Sequence, residues 1–183
     1  ALFKSRRQVF SSGIYDPLIE KTASFIENLG FEDPLILDAG CGEGSFLARL
    51  AKRGVGRQIG IDLSKEGIRL AAAQDEKILW CVADLASLPL ASSCVAVILN
   101  ILSPANYGEF QRVLKPGGVV VKVLPGANYL REIRERLPHG KEYSNQEGLA
   151  HLEGNMEVQR SEHLQYEVPV NPNLWQDLVT MTP

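Results

Sequence analysis

From residue 34 onward, short apolar runs alternate with amphipathic stretches. "LIL" closing on Asp38, "RQIGID", "KILWCVAD", "CVAVILN" and "VVVKVL" read as strands. Between them "SFLARLAKR", "SKEGIRLAAAQ" with Ser64 as N-cap, and "YGEFQRVLK" stopped by "PGG" read as helices. Strands and helices alternating at this length give βαβ units and a parallel sheet. Ahead of them lie two helical pieces broken near "SSGIYDP". Leu18, Ile19, Ala23, Ile26 and Leu29 keep a helical period there, and Gly30 supplies the stop. After Pro125 the pattern loosens. "NYLREIRERL" predicts a helix with a basic outer face, ended by "PHG", and residues 141–154 predict a surface connection. "MEVQR" and "LQYEVPV" suggest a closing antiparallel pair, and 173–180 a last short helix. The expected organisation is a helical lead-in over 1–33 and one α/β domain over 34–183.

Composition narrows the setting more than the chemistry. The apolar runs "VAVIL" and "VVV" are far too short to span a bilayer. The opening "ALFKSRRQVF" has neither the apolar stretch nor the cleavage site of a secretory signal. Cys41, Cys81 and Cys94 are odd in number and lack C-x-x-C spacing, so neither a disulfide framework nor a self-contained metal site is expected. A cytoplasmic protein without membrane contact is the expectation. The net charge of −3 argues against a general coat of positive potential. Local basic clusters remain: Lys4, Arg6 and Arg7, then Arg131, Arg134, Arg136 and Lys141.

The chemistry gathers at the strand ends. Asp38, Asp62, Asp84 and Asn100 each close an apolar run. Parallel strands bring such ends to one edge of a sheet, where ligands bind at the topological switch point. The loop "LDAGCGEGSF" sits on that edge. A dinucleotide fingerprint would need Gly or Ala where Ser45 stands, and the observed glycines are Gly40, Gly42 and Gly44 instead. No Gly-Lys-Ser/Thr follows, which excludes a Walker A loop. Asp62, about twenty residues on, is spaced to grip ribose hydroxyls in either kind of cofactor.

"LDAGCGEG", "GIDLS", "VADLASLPL" and "RVLKPGGVVV" together resemble, in order and spacing, the class I S-adenosylmethionine-dependent methyltransferases. The resemblance implies a Rossmann-like seven-stranded, mostly parallel sheet flanked by helices, with the last strand antiparallel. It implies S-adenosyl-L-methionine as cofactor, held by Asp38, Gly40, Gly42, Glu43, Asp62, Leu63, Ala83, Asp84, Leu85 and Asn100. Within that set the glycines and Glu43 would line the methionine end, Asp62 the ribose, and Asp84 with Ala83 or Leu85 the adenine edge. Asn100 and "ILSP" would wall the acceptor side. An acidic crevice suits a sulfonium cation that carries no phosphate.

The flanks resemble a narrower group. "RRQVFSSGIYDPL", "SPAN", "PGANYL" and "TMTP" are similar to pieces of the bacterial 23S ribosomal RNA (guanine-N1-)-methyltransferases, in the same order. That resemblance adds Tyr15 and Tyr129 to the cofactor set, the latter where some members carry histidine. It implies 23S ribosomal RNA as partner, and a homodimer is an assembly the sequence permits. Members also carry an N-terminal zinc module that this sequence lacks. We expect the chain, which starts at Ala1 without a Met, to begin downstream of it.

Guanine N1 carries a proton, so a group must accept it or stabilise charge developing at O6. The candidates are Asn100 and Ser103 as catalytic hydrogen-bonding groups and Asp16 and Glu43 as acids. Phe10, Tyr15, Tyr107 and Trp175 are candidates to stack on a base, and Arg6, Arg7, Arg131 and Arg134 to meet phosphates. His139, His151 and His163 read as surface residues. Two alternatives stay open: a methyltransferase acting on a quinone precursor or other metabolite, and a non-catalytic cofactor-binding module.

Overall fold

The computed structural model describes residues 1–137 and 144–182. It groups the chain into two compact units, one of Ala1–Ile14 with the chain from Val123 onward, the other Tyr15–Lys122. That grouping puts the second helical piece with the sheet, across the boundary expected at residue 33.

The Tyr15–Lys122 unit holds a five-stranded sheet in the order β3-β2-β1-β4-β5. The strands are β1 (Leu35–Ala39), β2 (Arg57–Asp62), β3 (Leu79–Val82), β4 (Val95–Ile101) and β5 (Leu114–Val123). β1 pairs in parallel with β2 and with β4, and β2 in parallel with β3. β4 is buried along its whole length, as a central strand covered on both faces must be. The strand order reverses between β1 and β4, so a crevice opens beside the end of β1.

Four helices belong to this unit: α2 (Asp16–Asn28), α3 (Ser45–Ala51), α4 (Lys65–Ala72) and α5 (Tyr107–Val113). Ser64 caps α4 as expected, its side chain accepting from the Gly67 N–H at 3.1 Å. Asn106 caps α5 in the same way, accepting from Glu109 at 3.0 Å. Leu114 is extended (φ −65°, ψ 133°), which ends α5 two residues earlier than the sequence pattern and starts β5 before "PGG". Phe110, Val113, Ile36, Leu37, Leu47 and Leu99 lie in the core.

In the other unit α1 (Leu2–Ser11) packs against α8 (Trp175–Met181), burying Val9, Phe10 and Leu178. α6 (Arg131–Arg134) is a single turn, shorter than the predicted helix, whose "PHG" stop lies outside the described residues. α7 (Gln146–Glu153) forms where a surface connection was expected. Gln, Glu, Leu and Ala are good helix formers there, although no α7 residue is buried.

The expected closing pair is corrected. Among the described residues the sheet has five strands, and 157–170 carry no strand. Val158, Leu164 and Val170 remain exposed, so the pair would have had no buried face to stabilise it. No helix among the described residues is long and apolar enough to cross a membrane.

Candidate active site

After β1 the backbone turns through Gly40, Gly42 and Gly44. Gly40 has φ +87°, and a Cβ there would lie 2.8 Å from both Cβ and Oγ of Ser103. Gly44, the N-cap of α3, has φ +81°, and a Cβ there would stand 2.6 Å from the Trp80 ring. Both positions therefore need glycine twice over, for conformation and for close approach. The loop is tied to β2 by the N–H groups of Gly40 and Cys41, which donate to the Ile61 carbonyl at 2.8 and 3.0 Å.

Asp62, at the end of β2, completes that attachment. Its Oδ2 accepts from Gly42 N–H and its Oδ1 from Ser64 N–H, each at 2.8 Å. Each carboxylate oxygen keeps a lone pair for a further donor. Leu63 follows, 70% exposed. Ala83 N–H donates to the Asp62 carbonyl at 3.1 Å, which sets the end of β3 against β2. Asp84 is exposed and turns the chain, its Oδ1 accepting from Ala86 N–H at 2.9 Å. Leu85 comes within 3.9 Å of where a Gly40 Cβ would stand, so the segments after β1 and β3 meet.

Two groups that sequence reasoning did not single out hold the segment after β3. Arg112 of α5 donates to the carbonyls of Leu90 at 2.8 Å and Leu88 at 2.9 Å. Its Nε and Nη2 both donate to Glu109 at 2.7 Å, and Glu109 accepts from Leu88 N–H at 2.7 Å. The Arg112 guanidinium, with the Leu88 amide, pulls the Glu109 carboxyl down to about 2. The signal was available: Glu109 and Arg112 stand three apart, on one face of a helix.

Glu43 is buried. Its Oε2 accepts from Ser45 Oγ at 2.7 Å and from Gln74 at 3.2 Å, and Gln74 also donates to the Glu43 carbonyl at 2.5 Å. Ser45, which broke the dinucleotide pattern, therefore serves the loop from inside. Asp38 is buried at the end of β1. Burial, with the negative charges of Asp38 and Asp62 behind it, pushes the Cys41 thiol far up.

Asn100, in β4, and Ser103, just after it, are both turned toward the end of β1. Asn100 is fully buried, and its Nδ2 donates to Ala39 O at 2.9 Å, Ser103 Oγ at 2.7 Å and Pro104 O at 2.8 Å. Ser103 Oγ donates to the same Ala39 carbonyl at 2.8 Å. Lys122 on β5, also absent from the sequence reading, donates to Asn100 Oδ1 and to the Ser103 carbonyl at 2.6 Å. Burial lowers its ammonium below the ordinary lysine range.

The remaining candidates fare unevenly. Tyr15 and Tyr107 are buried, as is Phe10 in the other unit, so none of the three offers a free ring face, while Trp175 lies beneath Arg136 at 5.5 Å. Asp16 is ion-paired to Arg49 at 2.5 Å. Tyr129 belongs to the unit that contains Val123 onward. There Arg134 is buried and donates to the carbonyls of Tyr129 at 2.9 Å and Ala127 at 2.5 Å. Arg131 pairs with Glu135 at 2.6 Å. Of the basic outer face expected here, Arg134 turns inward and Arg131 pairs with Glu135, while Arg136 stays exposed over the Trp175 ring. His151 and His163 are exposed, and His139 lies outside the described residues.

Glycines at which a Cβ would collide with Ser103 and Trp80, and a fixed carboxylate with unfilled acceptor capacity about twenty residues on, meet at the switch point, and the residues present fit S-adenosylmethionine. The fold and this site define a Rossmann-like, S-adenosylmethionine-dependent methyltransferase. Residues 36–118 match the family described as "Methyltransferase domain". A Methanococcus maripaludis structure, provisionally named an S-adenosyl-L-methionine-dependent methyltransferase, is 19% identical with a TM-score of 0.64, covering 82% of this chain and 80% of its own. YxjB of Bacillus subtilis, provisionally named a 23S rRNA (guanine-N(1)-)-methyltransferase, is 37% identical over 100% of this chain and 68% of its own length. The 23S rRNA (guanine(748)-N(1))-methyltransferase of Streptomyces fradiae is 33% identical over 73% of this chain and 49% of its own. The chain belongs to the 23S rRNA (guanine-N(1)-)-methyltransferase family, and it spans about two thirds of the first of these relatives and about half of the second.

Proposed function

We propose that the chain carries the methyl-transfer part of an enzyme that methylates N1 of a guanine in 23S ribosomal RNA, in the cytoplasm. One observation carries the reading. The match to the Bacillus subtilis relative runs through 100% of the chain, whereas the general methyltransferase family stops at 36–118. The likeness therefore includes the flanks as well as the cofactor core.

When bound, the cofactor supplies a methyl group activated by its sulfonium. The protein's own contribution is to hold both reactants and keep water away. The glycine loop and Asp62 would seat the methionine and ribose, and Asp84 with Ala83 and Leu85 the adenine. Asp16 is neutralised by Arg49 and Glu43 is enclosed by Ser45 and Gln74. Neither supports a role as general base, so alignment is the contribution this reading rests on.

The full protein should transfer labelled methyl groups from S-adenosylmethionine to 23S RNA taken from a strain lacking its gene. The label should sit at N1 of guanine after nuclease digestion. Labelling of a small-molecule extract with none in RNA would overturn the reading in favour of a metabolite acceptor.

A further inference from the structure

Lys122 carries a charge that no step above uses. It is half-buried near the end of β5, and its ammonium donates to two neutral oxygens, Asn100 Oδ1 and the Ser103 carbonyl. An ammonium can only donate, so the oxygen end of the Asn100 amide must face it. The Ala39 and Pro104 carbonyls, which can only accept, require the same direction from the nitrogen side, so Lys122 holds the oxygen end of an amide whose direction the heavy atoms alone leave open. The Asn100 nitrogen then points to Ala39 O, Ser103 Oγ and Pro104 O.

The chain of contacts ends at the glycine loop. Ala39 is the residue before Gly40, and Ser103 packs where a Gly40 side chain would stand. Between Asn100 and Ser103 the backbone passes through Leu102 at φ +52°, a left-handed conformation that a leucine rarely adopts. A strained residue of this kind persists only where its surroundings over-determine it. Lys122 grips both sides of it, through the side chain of Asn100 and the main chain of Ser103. Desolvating an ammonium against neutral acceptors is costly, and an apolar side chain of similar length would fill the same space without that cost.

We infer that Lys122 is a positioning residue for methyl transfer, setting the 101–106 segment against the glycine loop through Asn100 Oδ1 and the Ser103 carbonyl. It acts on the acceptor side, so the inference rests on the methyl-transfer reading above. With the amide held one way round, the acceptor wall keeps one register relative to the loop that seats the methyl donor. A misplacement of about 1 Å in such a wall can lower a rate about 100-fold.

The test compares Lys122→Met and Lys122→Arg with the wild type in the full protein. For Lys122→Met, kcat on 23S RNA should fall about tenfold or more, while KM for RNA and the Kd for S-adenosylmethionine stay within about twofold. Lys122→Arg keeps a cation that can donate to both oxygens and should recover most of the lost kcat. Amide hydrogen exchange over 101–106 should accelerate in Lys122→Met and not across α3. If Lys122→Met unfolds, Lys122→Gln makes the same comparison. A wild-type kcat, or a loss that only tracks lost cofactor binding or folded fraction, overturns the inference. Should the wild type itself leave RNA unlabelled, the functional reading falls separately. Exchange then decides for Lys122, and unchanged exchange over 101–106 overturns it.

Discussion

Asp62 is asked to do two things at once. One oxygen anchors the glycine loop through Gly42 and the other anchors the start of α4 through Ser64. What remains on each oxygen is available to a hydroxyl, already aimed and already desolvated on one side. Asp62→Ala should therefore weaken S-adenosylmethionine binding by about 1–3 kcal/mol, the scale of a lost charge-assisted site. Calorimetry measures it directly, and an unchanged Kd would remove Asp62 from the binding site. Asp62→Asn is the more telling variant. Its amide keeps one acceptor oxygen in place of two, so either the Gly42 or the Ser64 N–H, and the ligand hydroxyl beside it, loses its acceptor, and its affinity should fall between wild type and Asp62→Ala.

At the scale of elements, α5 acts as a clasp on the segment after β3, and the clasp is electrostatic. Glu109 has its carboxyl held at about 2, against an ordinary 4.5, by the Arg112 guanidinium first and the Leu88 amide second. A carboxyl depressed on folding stabilises the fold above its unfolded pKa, and that contribution is lost as pH falls toward the folded value. Wild type should hence exceed Glu109→Gln in stability by a constant margin above pH 4.5, and the margin should shrink between 4.5 and about 2. Urea unfolding across that range measures it, and a margin independent of pH would show that the charge contributes nothing. The sequence made α5 legible as the amphipathic stretch "YGEFQRVLK" ahead of the "PGG" stop, and the structure adds Asn106 as its N-cap. It could not show that the same helix reaches back to Leu88 and Leu90. Such contacts depend on which elements the sheet order places side by side. The partners of Asn100 were hidden for the same reason: a strand-end position says nothing of Lys122 and Ala39, which the fold sets on either side of it.

At the scale of the molecule, the sheet and its switch point were readable, because buried parallel strands are nearly continuous apolar runs and four of the five end at or beside a polar residue. The chain beyond Val123 was not, since its apolar positions are sparse and its helices are short or bury no residue. Alternation in 157–170 suggested strands, yet alternation forms a strand only where one face finds something to cover. A cofactor that binds only the folded state should stabilise the whole Tyr15–Lys122 unit. At 100 times its Kd the gain is about 2.7 kcal/mol, read as a rise in Tm that grows with ligand concentration. S-adenosylmethionine that leaves Tm unchanged at millimolar concentration would refute the proposed cofactor.

The contact between Gly40 and Ser103 sets terms for how this enzyme can change. A Cβ at Gly40 would stand 2.8 Å from the Ser103 Cβ and hydroxyl, so the glycine loop and the 101–106 segment, which on the proposed reading seat the methyl donor and face the acceptor, cannot drift independently. New acceptors have to be accommodated while position 103 stays small, by altering its neighbours in sequence. A library randomised at Leu102, Pro104 and Ala105 with Ser103 kept fixed should contain far more folded, cofactor-binding members than one randomised at Ser103.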